Sequence, residues 1–228
     1  MSKLILVIAA HPDDEVLGCG ATIAKHALEG DKVCCLILGE GITSRYDQRG
    51  DASRKKLKQL KSEAKQATQI LGVKKISFRD FPDNRFDSVP LLDIVKVVED
   101  FVSKLQPDVI YTHHGGDLNI DHQIVHRAVL TAARPLENCP VKEIYTFEVP
   151  SSTEWAFQQF EPAFHPNVFV DITETLEIKV QALQIYESEA RPFPHPRSPE
   201  ALRAIARRWG SVVGLEAAEA FQLVRSIR

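Results

Sequence analysis

Cysteine is scarce in this sequence of 228 residues, which contains four cysteines and no C-x-x-C pair. The sequence therefore lacks the pattern of a disulfide framework. Three of the four stand inside apolar stretches, so we interpret them as reduced core thiols and expect a cytoplasmic protein. The four are Cys19, Cys34, Cys35 and Cys139.

Long hydrophobic runs are also lacking. The apolar run near the amino terminus, residues 4–10, is too short to span a bilayer. It continues directly into a polar motif and has no signal-peptide cleavage pattern. We interpret it as a buried strand and expect no membrane partner.

Charge of one sign is not in excess, because the formal net charge is −3. This balance argues against a surface for nucleic acid or anionic lipid. The basic run at residues 54–56 lies above leucines and alanines at helical spacing, so a solvated helix face is the better interpretation. With 44% hydrophobic and 26% charged residues, the sequence is typical of a globular protein, and we expect one domain, residues 1–228.

Strand-like and helix-like patterns alternate along the chain. The sequence predicts strands at 4–10, 32–38, 75–78, 108–112, 142–147 and 168–172, and helices at 16–29, 52–71, 90–105, 122–133, 173–187 and 199–209. Such alternation predicts an α/β fold, a Rossmann-like three-layer sandwich with a mostly parallel sheet. Residues 191–197 contain three prolines and cannot be helical. We therefore expect an elaborated C-terminal part, which residues 217–228 complete.

Two polar segments directly follow predicted strands. Residues 11–15 read His-Pro-Asp-Asp-Glu, and residues 113–122 read His-His-Gly-Gly-Asp-Leu-Asn-Ile-Asp-His. Ligands of open parallel sheets bind at the carboxyl ends of strands, so we expect these segments to meet. Histidine nitrogens and carboxylate oxygens with one open position are the ligand set of a catalytic zinc ion.

A simpler interpretation treats Asp13, Asp14 and Glu15 as the N-cap and acidic first turn of a helix. Three adjacent carboxylates are more than a helix N-cap requires, and a second segment rich in histidine and aspartate follows another predicted strand. A metal site is therefore the favoured hypothesis. No G-x-G-x-x-G follows the first strand, which argues against a non-catalytic nucleotide- or sugar-binding module.

Residues 10–24, Ala-His-Pro-Asp-Asp-Glu followed by Val-Leu-Gly-Cys-Gly-Ala-Thr-Ile-Ala, resemble the signature of the PIG-L-type (LmbE-like) de-N-acetylases. The similarity extends through Gly-Glu-Gly at 39–41 and the Asp-x-x-His segment that ends at His122. Residues 179–189 and 209–221 also resemble the family's C-terminal pattern. The resemblance therefore spans almost the whole chain.

The resemblance implies zinc ligands at His11, Asp14 and His122, with another divalent metal as an alternative occupant. It also implies that Asp13 is the general base, whose pKa should rise in a dry pocket. The implied reaction is hydrolysis of the N-acetyl amide of an amino sugar, which releases acetate and the free amine. Relatives assemble, which leaves a homo-oligomer open.

Two acidic residues are candidates for supporting roles. Glu15 is expected either to orient a ligand or only to lie in the first helical turn. Asp121 is expected to orient His122 or its neighbours.

The sequence departs from the family at Asn119, where many members have the first histidine of His-Pro-Asp-His. Asn119 can donate a hydrogen bond to an oxyanion, which makes it a catalytic candidate, but it cannot supply a proton. Asp13 would then act first as base and next as acid, unless His113, His114 or His195 substitutes.

A second departure concerns substrate binding. Some sugar deacetylases have an arginine three residues before the glutamate that aligns with Glu63, and this chain has Leu60 there. We expect substrate contacts from Arg45 or Arg49 instead. Asp87 resembles a family aspartate that binds sugar hydroxyls, although a simple turn aspartate is the alternative.

Two enzymatic functions stay open. The leading hypothesis is a zinc-dependent N-deacetylase acting on a small-molecule amino sugar, with no nucleic-acid partner. The alternative is a metal-dependent hydratase or hydrolase of a carboxylic-acid substrate on the same scaffold. The sequence does not choose among a nucleotide sugar, a glycoside, a chitin fragment and an antibiotic intermediate.

Overall fold

The computed structural model describes residues 2–228, which form seven strands and six α-helices. The strands are β1 (Leu4–Ala9), β2 (Lys32–Gly39), β3 (Lys75–Phe81), β4 (Val109–His113), β5 (Glu143–Phe147), β6 (Val168–Asp171) and β7 (Ala218–Ser226). The helices are α1 (Asp14–Leu28), α2 (Arg54–Ile70), α3 (Leu91–Leu105), α4 (Ile120–Ala132), α5 (Leu176–Gln184) and α6 (Pro199–Val213).

All seven strands belong to one sheet with the order β3-β2-β1-β4-β5-β7-β6. The first five strands in this order are parallel, whereas β7 runs antiparallel to both β5 and β6. The predicted α/β fold with a mostly parallel sheet is confirmed. The chain winds outward from β1 to β3 and then returns to β4 on the other side of β1. The carboxyl ends of β1 and β4 therefore flank the switch point at which such sheets bind ligands.

The sheet is covered on both faces, as the continuous apolar sequence of β1 requires. Alternate side chains of a strand point to opposite faces. Ile5 and Val7 accordingly pack into a core that includes Tyr186 and residues of α1, α2 and α5. Leu6 and Ile8 pack into a second core with residues of α3 and α4. The result is the predicted three-layer arrangement.

The C-terminal part differs in detail from its prediction. Residues 217–228, for which the sequence predicted no element type, supply β7 and extend the sheet with antiparallel pairing. The helix predicted at 173–187 is shorter at both ends, and α6 continues beyond residue 209 until Gly214 ends it in the left-handed conformation (φ 78°). Across residues 2–228, every helix is too short or too polar to cross a membrane.

Candidate metal centre

The turn between β1 and α1 is strained at Asp13. Its φ of 110° lies in the left-handed region that residues other than glycine rarely adopt. The Asp13 N–H donates to Oε2 of Glu15 (3.0 Å), and the hydroxyl of Tyr186 donates to the other oxygen of Glu15. Glu15 is completely buried, which raises its pKa to about 7. Its contacts are those of a residue that stabilises the turn.

Three side chains meet at the carboxyl ends of β1 and β4. Oδ2 of Asp14 lies 3.4 Å from Nδ1 of His11 and 3.3 Å from Nε2 of His122. Ligand atoms of these three residues all lie within 4.8 Å of one another. Asp14 and His122 are almost completely buried, with exposed fractions of 1% and 2%. The structure therefore brings together the three residues that the sequence suggested as ligands.

The spacing and the free nitrogen of His122 both fit a metal ion. Donors bound at about 2.0–2.2 Å to a tetrahedral metal lie roughly 3.3 Å apart, which agrees with the two distances above. Both ring nitrogens of His122 are buried, and neither forms a hydrogen bond in the described part of the chain; Nε2 is the nitrogen that faces Asp14. An unpaired buried nitrogen is costly, and coordination to a cation would satisfy it.

Asp121 contacts His11 rather than its neighbour His122. Its Oδ2 lies 2.9 Å from Nε2 of His11, and its two oxygens also accept the backbone N–H groups of Asn84 (2.6 Å) and Phe86 (2.9 Å). When Nε2 of His11 donates to this carboxylate, Nδ1 presents a lone pair toward Asp14. The expectation named His122 or its neighbours, and Asp121 contacts His11, which lies beside His122 in the centre.

Asp117 is the carboxylate that faces His122. Its Oδ1 lies 3.1 Å from Nδ1 of His122. Asp117 is itself fully buried and accepts hydrogen bonds from the hydroxyls of Ser152 and Thr153 and from the Asn119 N–H (2.8 Å). Each histidine of the centre thus has its own carboxylate, the arrangement that fixes ring orientation in metal sites.

The centre is built to stabilise positive charge. Burial lowers the pKa of His122, but the carboxylates of Asp14 and Asp117 outweigh it and raise this pKa to about 9. Burial likewise opposes protonation of His11, and Asp121 and Asp14 raise its pKa well above the usual range. A divalent cation would be stabilised by the same carboxylates.

A cavity of about 160 Å³ opens beside the three ligand candidates. Asp13, Asn119 and Arg197 are among the residues that line it. Burial raises the pKa of Asp13 well above its ordinary value, although Nη1 of Arg197, which donates to Oδ2 of Asp13 (2.7 Å), acts in the opposite direction. The direction agrees with the expectation for a general base in a dry pocket.

Two of the predicted substrate contacts do not reach this cavity. The guanidinium of Arg49 donates to both oxygens of Glu40 (2.7 and 2.9 Å) and lies outside the cavity wall. Asp87 is exposed in a short 3₁₀ turn after Arg85 and also lies outside. Asp83 and Asn84, which follow β3, line the cavity instead.

The three histidines considered as proton donors all form hydrogen bonds with backbone groups. Nε2 of His113 accepts the Ala10 N–H (2.8 Å), and burial together with His122 lowers the pKa of His113 well below its ordinary value. Nε2 of His114 bonds to the carbonyl of Pro162 (2.7 Å), and Nδ1 of His195 accepts the N–H of Arg197 (3.1 Å). None of the three histidines lines the cavity.

Asn119 forms two hydrogen bonds with its side-chain amide at the start of α4. Its Oδ1 accepts the Asp121 N–H (2.9 Å) as a helix N-cap, and its Nδ2 donates to Oδ1 of Asn84 (2.9 Å). An amide NH₂ carries two hydrogens, so a second donor is available on the cavity side.

Sequence reasoning missed Asp83, Asp117, Glu189 and Arg197 as site residues. The rule that ligands gather at strand carboxyl ends could have identified Asp83, because it follows β3, and Asp117, because it lies in the segment after β4. Glu189 ends the 179–189 segment that resembles the family's C-terminal pattern, which could have indicated it, whereas Arg197 comes from the irregular proline-rich segment at 191–197.

Known proteins are similar to this chain over most of its length. The PIG-L family model, GlcNAc-PI de-N-acetylase, matches residues 6–133. An uncharacterized deacetylase, YaiS, from Escherichia coli K12 is 30% identical, with 82% of this chain and 91% of that protein covered. Diacetylchitobiose deacetylase from Thermococcus kodakarensis is 29% identical, with 99% and 84% covered.

Solved structures share the fold. N,N'-diacetylchitobiose deacetylase from Pyrococcus horikoshii has a TM-score of 0.78 at 22% identity, with 98% of this chain and 84% of that chain covered. The 4-carboxy-2-hydroxymuconate hydratase GalB from Pseudomonas putida KT2440 has a TM-score of 0.74 at 23% identity, with 99% and 98% covered. At these identities the similarity establishes the fold alone.

Proposed function

The chain belongs to the PIG-L family of de-N-acetylases, and we propose that it is a zinc-dependent hydrolase of N-acetylated amino sugars. The products would be acetate and the free amino sugar. The observation that carries this proposal is the buried set of His11, Asp14 and His122 with Asp13 at the edge of the same cavity. Hydrolysis of an unactivated amide requires a set of metal ligands next to a carboxylate that does not itself bind the metal.

His11, Asp14 and His122 would hold the zinc ion, and Asp121 and Asp117 would keep the two imidazoles oriented. When bound, zinc would polarise the amide carbonyl and lower the pKa of a water molecule toward roughly 7.

Asp13 accepts the proton of the attacking water in this proposal. The water oxygen forms a bond to the amide carbon, and the developing oxyanion accepts a hydrogen bond from Nδ2 of Asn119. The carbon–nitrogen bond then breaks, and the amine nitrogen takes a proton. Because Asn119 cannot release a proton and the histidines His113, His114 and His195 lie outside the cavity, Asp13 returns the proton that it accepted.

Hydration or hydrolysis of a carboxylic-acid substrate is the second candidate. Asn119 favours it, because a hydratase has no amine to protonate. The charge of the cavity opposes it, since the guanidinium groups of Arg45 and Arg197 are already paired with Glu189 and Asp13. Little positive charge is left for a substrate carboxylate, so deacetylation remains the preferred function.

The free cysteines Cys19, Cys34, Cys35 and Cys139 suit a reducing compartment, and we place the protein in the cytoplasm.

Acetate release tests the proposed function. The metal-stripped and zinc-reloaded protein would be assayed on N-acetylhexosamines that are free, glycosidic or nucleotide-linked. We expect acetate only after reloading, and loss of activity in Asp13→Asn with zinc retained. His122→Ala should lose both zinc and activity while its circular dichroism spectrum is unchanged.

If the reloaded protein releases no acetate from any of these sugars, deacetylation of amino sugars is wrong. Water addition to an unsaturated carboxylic acid by the same preparation would then support the hydratase. A wild-type protein that binds no divalent metal would contradict both candidates.

A further inference from the structure

The cavity contains a guanidinium group that the proposed reaction leaves unused. Arg197 ends the proline-rich segment at 191–197, and its side chain is 22% exposed. Its Nε donates to Oγ of Ser151 (2.7 Å), and its Nη1 donates to Oδ2 of Asp13 (2.7 Å) and to Oε2 of Glu189 (3.2 Å). The Arg197 side chain is therefore held by three residues that are far apart from one another in sequence.

Contact with Arg197 occupies only one oxygen of Asp13. Oδ1 of Asp13 accepts no hydrogen bond from any residue within 2–228, whereas Oδ2 is paired with the guanidinium. A carboxylate on a short side chain can rotate, and a planar guanidinium in contact with one oxygen restricts that rotation. The pairing thus restricts the carboxylate of Asp13, a residue that lines the cavity, and leaves Oδ1 without a partner among residues 2–228.

Glu189 prevents Arg197 from swinging away. Glu189 is buried, with 5% of its surface exposed, and its oxygens also accept Nη2 of Arg45 (2.6 Å). The resulting chain of alternating charges runs from Arg45 through Glu189 and Arg197 to Asp13. Charge-assisted hydrogen bonds are stronger than neutral ones, and the burial of Asp13 and Glu189 limits screening of their bonds to Arg197.

We infer that Arg197 is a positioning residue for Asp13, which holds the carboxylate so that Oδ1 meets the attacking water. The inference rests on the proposed function. In the step concerned, the water gives its proton to Oδ1 of Asp13, and Arg197 neither gains nor loses one because a guanidinium stays protonated. A role limited to anchoring the 191–197 segment would need the contact with Ser151 but not the one with Asp13.

The test compares Arg197→Ala and Arg197→Lys with Arg203→Ala. Arg203 forms a similar pair with Glu177 (2.6 and 2.7 Å) on the outer surface and serves as the matched control. We expect kcat of Arg197→Ala to fall about 100-fold with KM nearly unchanged, since a misplaced catalytic group costs turnover more than binding. Guanidinium ion at non-denaturing concentration should restore part of kcat.

Arg197→Lys should give an intermediate kcat, because one ammonium group cannot contact Asp13, Glu189 and Ser151 together. Zinc content and the circular dichroism spectrum should match those of Arg203→Ala, which separates positioning from loss of the fold. A crystal structure of Arg197→Ala should show the Asp13 carboxylate rotated.

The inference is overturned if Arg197→Ala keeps kcat within about twofold of wild type, or if the Asp13 carboxylate is unmoved in its crystal structure. A kcat loss that guanidinium does not restore would also count against it. If wild type releases no acetate from any sugar, only the proposed function is contradicted. The orientation of the Asp13 carboxylate in the crystal structure of Arg197→Ala still tests whether Arg197 positions it.

Discussion

Oδ2 of Asp121 lies 2.9 Å from Nε2 of His11, although 110 positions separate the two residues. The contact exists because β1 and β4 are neighbours in the sheet and both polar segments follow their carboxyl ends. Asp121 therefore determines which nitrogen of His11 can face a metal ion held together with Asp14 and His122.

Replacement of Asp121 by asparagine should weaken metal binding. In Asp121→Asn an amide NH₂ can face Nε2 of His11, which favours the tautomer that removes the lone pair from Nδ1. We expect about a 10- to 100-fold loss of zinc affinity, measured by competition with a chromophoric chelator. Asp87→Ala, an exposed change outside the cavity, should bind zinc as wild type does. Equal affinities of Asp121→Asn and wild type would disprove the orienting role.

Tyr186 should contribute to stability through its hydroxyl. Tyr186→Phe leaves one oxygen of buried Glu15 without its donor, and we expect the free energy of unfolding in urea to fall by about 1–3 kcal/mol. Tyr46→Phe, which alters a partly exposed hydroxyl near Lys56, should stay within about 0.5 kcal/mol of wild type. Identical urea midpoints for the two variants would show that the contact with Glu15 stabilises nothing.

The buried ion pair between Lys179 and Glu219 supports α1 at its kink. Lys179 Nζ donates to Oε1 of Glu219 (2.6 Å) and to the carbonyl of Leu17 (2.7 Å), and Glu219 accepts the N–H groups of Ala21 (3.2 Å) and Thr22 (2.7 Å). The regular helix is interrupted between these groups, where Cys19 has φ −145°. Glu219 thus caps the second part of α1.

Lys179→Met should destabilise the protein by about 3–5 kcal/mol, because the Glu219 carboxylate is left buried without a cation. Adding Glu219→Gln should recover part of that loss in chemical denaturation. Breaking the exposed pair with Arg203→Met should cost at most about 1 kcal/mol. The prediction fails if the buried and the exposed pair cost the same.

Gly18 should not tolerate a side chain. A Cβ atom at this position would overlap the ring of Phe147, which is completely buried and cannot move aside. Gly18→Ala should lower the thermal midpoint and cost about 1–3 kcal/mol through overpacking. Gly50→Ala is the matched control, since its Cβ would meet no atom within 4 Å. A normal melting curve for Gly18→Ala would contradict the packing described for α1 and β5.

The sequence alone was sufficient for the order of the elements up to α6. Apolar runs of period two and amphipathic runs of helical period are local, so they predicted β1 to β6 and most helix positions without the fold, but not β7. The convergence of strand ends in a parallel sheet selected the two segments 11–15 and 113–122, and the family resemblance then implied His11, Asp14 and His122 as the ligands.

The surroundings of the ligand candidates depended on tertiary contacts. Arg49 was a reasonable substrate contact from its position in the chain, but pairing with Glu40 turns it away from the cavity. Asp87 lies outside the cavity, whereas Asp83, whose carboxylate accepts a hydrogen bond from Ser44 in another loop (2.7 Å), lines it. Loop side chains take their direction from such long-range pairs, which leave no periodic signal in sequence.

Arg197, which contacts the proposed general base Asp13, also shows the difference between what local sequence predicts and what tertiary contacts decide. Its segment was recognisable as non-helical from three prolines, which restrict the backbone locally. Its contact with Asp13, 184 positions away, required the C-terminal part to fold back over the end of β1. Local chemistry determined which residues could bind a metal or move a proton, and the packing of distant segments decided which of them meet.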